Sequence, residues 1–82
     1  MKLNIIRKEI SGKEPFEFSL HKAEYIVKNF TDGDVYVSFE ADAPDSESIK
    51  IPSMLGQLCT NVTNESNVVY VKGTGEVEVQ QI

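Results

Sequence analysis

Two side-chain types that often serve as a general base or a nucleophile occur once each in this sequence. They are His21, the one imidazole, and Cys59, the one thiol. Each would need a neighbour that orients or activates it, and neither lies in a nucleophile-elbow or thiol-protease motif. No cationic residue adjoins Cys59 in the sequence to activate its thiol. We therefore expect an exposed turn histidine, a cysteine in or near the core, no catalytic residues and no enzymatic activity, with a His21-dependent hydrolase as the least favoured function.

Carboxylates are concentrated between positions 32 and 47, a stretch that we call the acidic segment. Its members are Asp32, Asp34, Glu40, Asp42, Asp45 and Glu47. Carboxylate oxygens are ligands that Ca²⁺ accepts, but this spacing does not match the EF-hand loop. The pattern is typical of a solvated loop, so we expect no metal site and no cofactor. If a cation did bind, the candidate ligands are Asp32, Asp34, Asp42 and Asp45.

Short motifs elsewhere have an ordinary structural explanation. Asn29-Phe30-Thr31, Asn61-Val62-Thr63 and Asn64-Glu65-Ser66 match the acceptor pattern for N-glycosylation. We expect no secretory signal to go with them and attribute the matches to chance. Gly73-Thr74-Gly75 is followed by a strand-like pattern, so we interpret it as a hairpin turn and not as a phosphate-binding loop.

The composition limits the classes of partner. The 82 residues include 8 Lys plus Arg and 13 Asp plus Glu, a formal net charge of −5. A chain this acidic cannot neutralise many phosphates and offers no basic amphipathic face, so we expect neither nucleic-acid nor membrane binding. The apolar runs are far shorter than the roughly 18 residues that span a bilayer. A single cysteine excludes an intrachain disulfide and a multi-cysteine zinc site.

The elements that would position any site follow a period of two. Apolar and polar residues alternate along three stretches, which places one buried face on each predicted strand. The predicted buried residues are Phe16, Phe18, Val35, Val37, Phe39, Val77 and Val79. Residues 24–30 and 68–71 are apolar at both parities, which indicates central or doubly covered strands. The sequence therefore predicts one all-β domain over residues 1–82, a small antiparallel β-sandwich or a jelly-roll-like or partly open barrel.

Turn residues separate the predicted strands. Thr31-Asp32-Gly33-Asp34 predicts a tight hairpin, because Asp-Gly supplies the positive φ that such turns need. Residues 52–56 predict a turn in preference to one helical turn, since a glycine follows the proline so closely. Two apolar residues in this turn indicate either an exposed contact surface or a plug beneath the sandwich. The candidate interface residues are therefore Pro52, Met54 and Leu55.

Three segments carry a recognisable order of hairpin motifs. They are Tyr-Ile-Val-Lys-Asn-Phe-Thr-Asp-Gly-Asp-Val-Tyr-Val-Ser-Phe at 25–39, Ser-Ile-Lys-Ile-Pro at 48–52, and Val-Tyr-Val-Lys-Gly-Thr-Gly-Glu-Val-Glu-Val at 69–79. This order, spread over about two-thirds of the chain, resembles small structural proteins of tailed bacteriophages and prophages of Gram-positive bacteria. The resemblance implies a β-sandwich or jelly-roll-like module for head decoration, head fibres or tail parts. Met54 and Leu55 depart from it, because such segments often have a Gly-rich turn after Ile-Pro.

The size of the chain favours function through contact. Domains just above about 70–80 residues build small cores, and an open sheet leaves edge strands that recruit other chains. We therefore expect a non-enzymatic phage or prophage structural or assembly protein that binds copies of itself or larger particle proteins. Its expected location is the virion, or the cytoplasm of the bacterial host before assembly. The alternative is a small module that binds Ca²⁺ or carbohydrate through the acidic segment.

Overall fold

Eight β-strands build the molecule. The structure, a computed structural model, describes residues 4–20, 23–60 and 68–82, and 60% of these residues lie in strands, which confirms the all-β prediction. The strands are β1 (Ile5–Ser11), β2 (Phe16–Ser19), β3 (Glu24–Asn29), β4 (Val35–Ser38), β5 (Ile49–Ile51), β6 (Gly56–Thr60), β7 (Val68–Lys72) and β8 (Thr74–Gln81). A 3₁₀ turn at Asp45–Glu47 interrupts the long β4–β5 loop.

The strands form two four-stranded antiparallel sheets packed face to face. The first sheet has the order β1-β8-β3-β6 and the second has the order β2-β7-β4-β5. Successive strands lie in opposite sheets, with β4 and β5 as the exception. Eight antiparallel strands that alternate between two sheets in this order form a jelly roll. Of the predicted alternatives, the antiparallel β-sandwich is therefore confirmed, with the strand order of a jelly roll, and the sheets do not close into a barrel.

Both predicted hairpins are wrong, because each links two different sheets. β3 and β4 flank Thr31–Asp34 but pair with β8 and β7, so the segment is an arch between the sheets. Gly33 accordingly does not have a positive φ. The predicted turn at Gly73–Gly75 likewise joins the two sheets, since Gly73 links the end of β7 to the start of β8 across the sandwich. Gly73 is needed there for close packing, since an added Cβ would lie 2.8 Å from Cγ2 of Val35.

The inward positions of both sheets hold mostly β-branched side chains, which suit a pleated and covered surface. The buried apolar residues are Ile10, Phe18, Leu20, Tyr25, Val27, Val35, Val37, Ile51, Cys59, Val69, Val71, Val77 and Val79. Five of the seven predicted core residues are among them. Phe16 and Phe39 are only partly buried and pack against the edge of this core. β3 and β7 are interior strands of their sheets, as predicted, but in both of them buried residues alternate with partly exposed ones, so neither is fully covered on both faces.

Candidate functional site

A buried amide fixes the end of β3. The side chain of Asn29 is completely buried, and its Nδ2 donates hydrogen bonds to the carbonyl oxygens of Gly33 and Ile51, both at 2.8 Å. Its Oδ1 accepts a hydrogen bond from the backbone N–H of Thr31, also at 2.8 Å. These bonds tie the β3–β4 arch to the end of β5. The amide is therefore inaccessible to glycosylation in the folded chain, whereas the motifs at 61–63 and 64–66 lie outside the described residues.

The same strand end holds the β5–β6 turn, residues 52–55. The backbone N–H of Met54 donates to the carbonyl of Asn29, and the N–H of Asn29 donates to the carbonyl of Leu55, both at 2.8 Å. The hydroxyl of Ser53 donates to the carbonyl of Thr31. Met54 has a φ of 65°, a left-handed conformation that costs a residue other than glycine about 1–2 kcal/mol. The predicted turn is thus confirmed, and its strained residue is held in place by hydrogen bonds on both sides.

This turn presents an exposed apolar surface beside the edge of the first sheet. We call it the apolar patch, and its members are Ile26, Phe30, Met54, Leu55 and Leu58. Met54 is 64% exposed, Leu55 56% and Leu58 54%, so these side chains contribute little to the core. Of the two sequence alternatives for Met54 and Leu55, the structure shows an exposed surface and not a plug. Pro52 is also exposed, at the start of the turn.

Next to the patch, a row of charges crosses the outer face of the first sheet. Glu78 lies opposite Arg7 on one side and opposite Lys28 on the other. Its Oε1 is 2.8 Å from Nη2 of Arg7, and its Oε2 is 3.0 Å from Nζ of Lys28. Hydrogen bonds from Arg7 and then Lys28 lower the pKa of the Glu78 carboxyl, and Glu78 raises the pKa of Arg7. The sequence analysis missed this row, because strand alternation marks Glu78 as outward but does not reveal its neighbours.

The candidate metal ligands are distributed over two shallow depressions. Asp32, Asp34 and Asp45 line the first of them, and Asp42 lines the second, along the β4–β5 loop. Lysines already pair with two of these carboxylates. Lys50 Nζ is 3.5 Å from Asp34, and Lys72 Nζ is 2.5 Å from Asp45. Within residues 4–20, 23–60 and 68–82, no group of three or more His, Cys, Asp or Glu side chains is placed to hold a metal ion.

The thiol occupies the interior, as predicted. Cys59 lies opposite Tyr25 in the first sheet, and burial raises the pKa of its thiol to about 11, so it stays protonated at neutral pH. Burial also raises the pKa of Tyr25, whose hydroxyl has no hydrogen-bond partner among the described residues. His21 lies outside the described residues. The described part of the chain thus has an exposed apolar surface and shows no nucleophile paired with a base.

Fold and surface together define a small jelly-roll sandwich with an exposed apolar patch at one sheet edge. No protein-family model, curated protein or solved structure matches the chain. In the part of the chain that the structure describes, no helix has the length and apolar character required to cross a membrane.

Proposed function

We propose that the chain is a non-enzymatic structural or assembly protein of a tailed-phage or prophage particle and works through contacts with other chains. The observation that carries this proposal is the apolar patch. Four of its side chains are more than 40% exposed: Phe30, Met54, Leu55 and Leu58. Clustered exposed apolar residues, unlike scattered ones, mark interaction sites. The proposed partners are copies of the chain itself or larger particle proteins, in the virion and, before assembly, in the host cytoplasm.

The patch has the rigidity that a contact surface needs. Backbone hydrogen bonds to Asn29 hold Met54 and Leu55 on a short turn, so little backbone conformational entropy remains to be lost when a partner binds. Fully burying one large apolar side chain contributes about 1.5–3 kcal/mol, so covering this patch would stabilise a complex substantially. The sequence has methionine at this left-handed position, although glycine would adopt that backbone without strain. This choice favours a role for the Met54 side chain outside the fold.

Fold and sequence motifs support the particle assignment in different ways. Jelly rolls occur in viral capsid proteins, but also in lectins and cupins, so the architecture alone does not select a function. The segments at 25–39, 48–52 and 69–79 resemble phage structural proteins, and this resemblance selects the particle among those possibilities.

The composition of particles tests the proposal. Particles are induced and purified from the strain that carries the gene, and their proteins are identified and quantified by mass spectrometry. We expect the chain to be present at a fixed number of copies per particle, or to accompany assembly intermediates. A double variant, Met54→Lys with Leu55→Lys, should reduce incorporation, whereas Ile5→Lys should not, since Ile5 is similarly exposed but lies outside the patch. Particles and intermediates that lack the wild-type chain would refute the proposal.

A further inference from the structure

The four edge strands of the sandwich are not equally protected against pairing with another chain. Natural sheets protect their edges with charged side chains or proline, which disfavour a neighbouring strand. Three edges follow this rule: β1 carries Arg7, Lys8 and Glu9, β2 carries Glu17, and β5 carries Lys50. The fourth edge, β6, has the sequence Gly-Gln-Leu-Cys-Thr, with neither a charge nor a proline. β6 is therefore the edge whose sequence permits pairing.

The register shows which backbone groups of β6 are open. The backbone N–H of Asn29 donates a hydrogen bond to the carbonyl of Leu55, which makes these two residues a hydrogen-bonded pair. Two residues further along the β3–β6 ladder, Val27 lies opposite Gln57. Because hydrogen-bonded pairs alternate along an antiparallel ladder, Gln57 and Cys59 direct their backbone groups toward β3. The N–H and C=O groups of the three remaining residues, Gly56, Leu58 and Thr60, point away from the sheet. An exposed hydrogen bond of 3.0 Å from Gln57 Nε2 to the Leu58 carbonyl fits this direction.

We propose that β6 pairs in antiparallel register with β6 of a second copy of this chain, with Leu58 opposite Leu58 at the two-fold axis. This register places Gly56 of one copy opposite Thr60 of the other. Each residue whose backbone groups point away from its own sheet then gains a hydrogen-bonding partner. The first sheets of the two copies then form one continuous sheet. The proposal rests on the proposed function, since it specifies the contact through which the chain would assemble.

The two-fold arrangement brings apolar residues together. On the outer face, Leu58 lies beside Ile26 in the same row of the sheet. Pairing at Leu58 extends this row across the axis into Leu58 and Ile26 of the second copy, which covers part of the apolar patch. Residues directly opposite each other on neighbouring strands contribute to sheet stability in this way. An interface on a two-fold axis must be self-complementary, and an apolar row meets that requirement.

The same arrangement is also complementary in charge. Lys28 shares a row with Gly56, and Glu24 shares a row with Thr60. When Gly56 lies opposite Thr60, Lys28 of one copy and Glu24 of the other fall in one row, separated by two small side chains. The arrangement occurs twice about the axis. Lys28 also pairs with Glu78 of its own copy, so the row places opposite charges, and no like-charge pair, on the two sides of the axis, although the chain has a net charge of −5.

Two charge variants at opposite ends of one row test the inference. Leu58 and Ile5 lie in the same row of the first sheet, on its two edge strands, and are 54% and 51% exposed. Sedimentation of the full chain should show wild type and Ile5→Lys approaching twice the 9.2 kDa monomer mass as concentration rises. Leu58→Lys should raise the dimer dissociation constant at least tenfold, because it places two like charges at the axis. If Leu58→Lys fails to fold, Glu24→Lys serves instead and should weaken the dimer most at low salt.

Hydrogen exchange gives a residue-level test of the register. The amides of Gln57 and Cys59 should be protected at all concentrations, whereas those of Gly56, Leu58 and Thr60 should gain protection only as the dimer forms. The inference would be overturned if Leu58→Lys and Ile5→Lys affected self-association equally. It would also be overturned if amide protection did not alternate along β6. Either result would leave the proposed function standing. A monomer at millimolar concentration would also overturn the inference, and particle composition would then decide the proposed function separately.

Discussion

Replacing Asn29 with aspartate tests the framework that holds the apolar patch. The two side chains have nearly the same shape, but Asn29→Asp removes the Nδ2 donor that serves the carbonyls of Gly33 and Ile51. The acceptor for the Thr31 N–H is kept. The Gly33 carbonyl keeps its hydrogen bond from the Thr31 hydroxyl, so the Ile51 carbonyl is the group left without its side-chain donor. Leaving a buried hydrogen-bonding group unsatisfied costs about 1–3 kcal/mol, so the free energy of unfolding should fall by about that amount. That is a large part of the roughly 5–15 kcal/mol typical of small domains.

The pH dependence of this variant has a defined sign. Burial and the two facing carbonyl oxygens disfavour the charged form of the introduced carboxyl. Its pKa in the folded variant should therefore exceed its unfolded value of about 3.9. The extra destabilisation is then greatest above the folded pKa and shrinks as pH falls below it, where the protonated carboxyl can donate one hydrogen bond. Urea denaturation of variant and wild type at each pH from 7 to 4 measures this difference.

The matched control is Asn4→Asp, which makes the same chemical change at an exposed position. It should alter the free energy of unfolding by less than about 0.5 kcal/mol. If Asn29→Asp is equally mild at pH 7, or if its effect does not depend on pH, then Asn29 does not hold the two loops as described.

Three further predictions concern glycine, the charged row and calcium. Gly75→Ala should lower the free energy of unfolding by more than about 1 kcal/mol, because Gly75 has a φ of 127° and an added Cβ would lie 2.9 Å from Thr31. Gly33 has open space around it, so Gly33→Ala should be neutral or stabilising by up to about 1 kcal/mol in the same denaturation assay. The Glu78 ion pairs should stabilise the fold at pH values above 4.5, the pKa of this carboxyl in the unfolded chain, and should lose that contribution as pH falls through its lower pKa in the folded chain. The difference in the free energy of unfolding between wild type and Glu78→Gln should therefore shrink in acid. Calcium at millimolar concentration should leave Tm unchanged; a rise that a mutation of the acidic segment abolishes would instead support the ligand-binding alternative.

Much of the fold could be predicted from residue types, because alternation at period two requires only local geometry. It located the strands and the one-sided burial of Val35, Val37, Val77 and Val79. It could not identify strand partners, since Asp32-Gly33 has the sequence of a hairpin turn in either arrangement. The arch forms instead because β8 and β7 pair with the flanking strands and Asn29 bonds across the loop. Pairing over long sequence distances is a tertiary property that turn chemistry does not contain.

The candidate surface was only partly visible in the sequence. Met54 and Leu55 attracted attention as apolar residues in a turn, but Phe30 belonged to a predicted strand and showed no such signal. The exposure of Leu58 follows from β6 being an edge strand, which depends on the topology of the sheet. Asn29 had one sequence signal, a polar residue that ends a largely apolar strand, but its partners could not be derived from it.

Hydroxyl-radical footprinting of Met54 tests most directly whether the apolar patch is a contact surface. Methionine oxidises readily when its sulfur is accessible, and the side chain of Met54 is 64% exposed in the single chain. Oxidation rates are compared between the dilute purified chain and the chain within particles or assemblies, with Ile5 as the exposed reference outside the patch. The account predicts that the rate at Met54 falls severalfold on assembly while the rate at Ile5 is unchanged. Equal rates at Met54 in the free and assembled chain would contradict it.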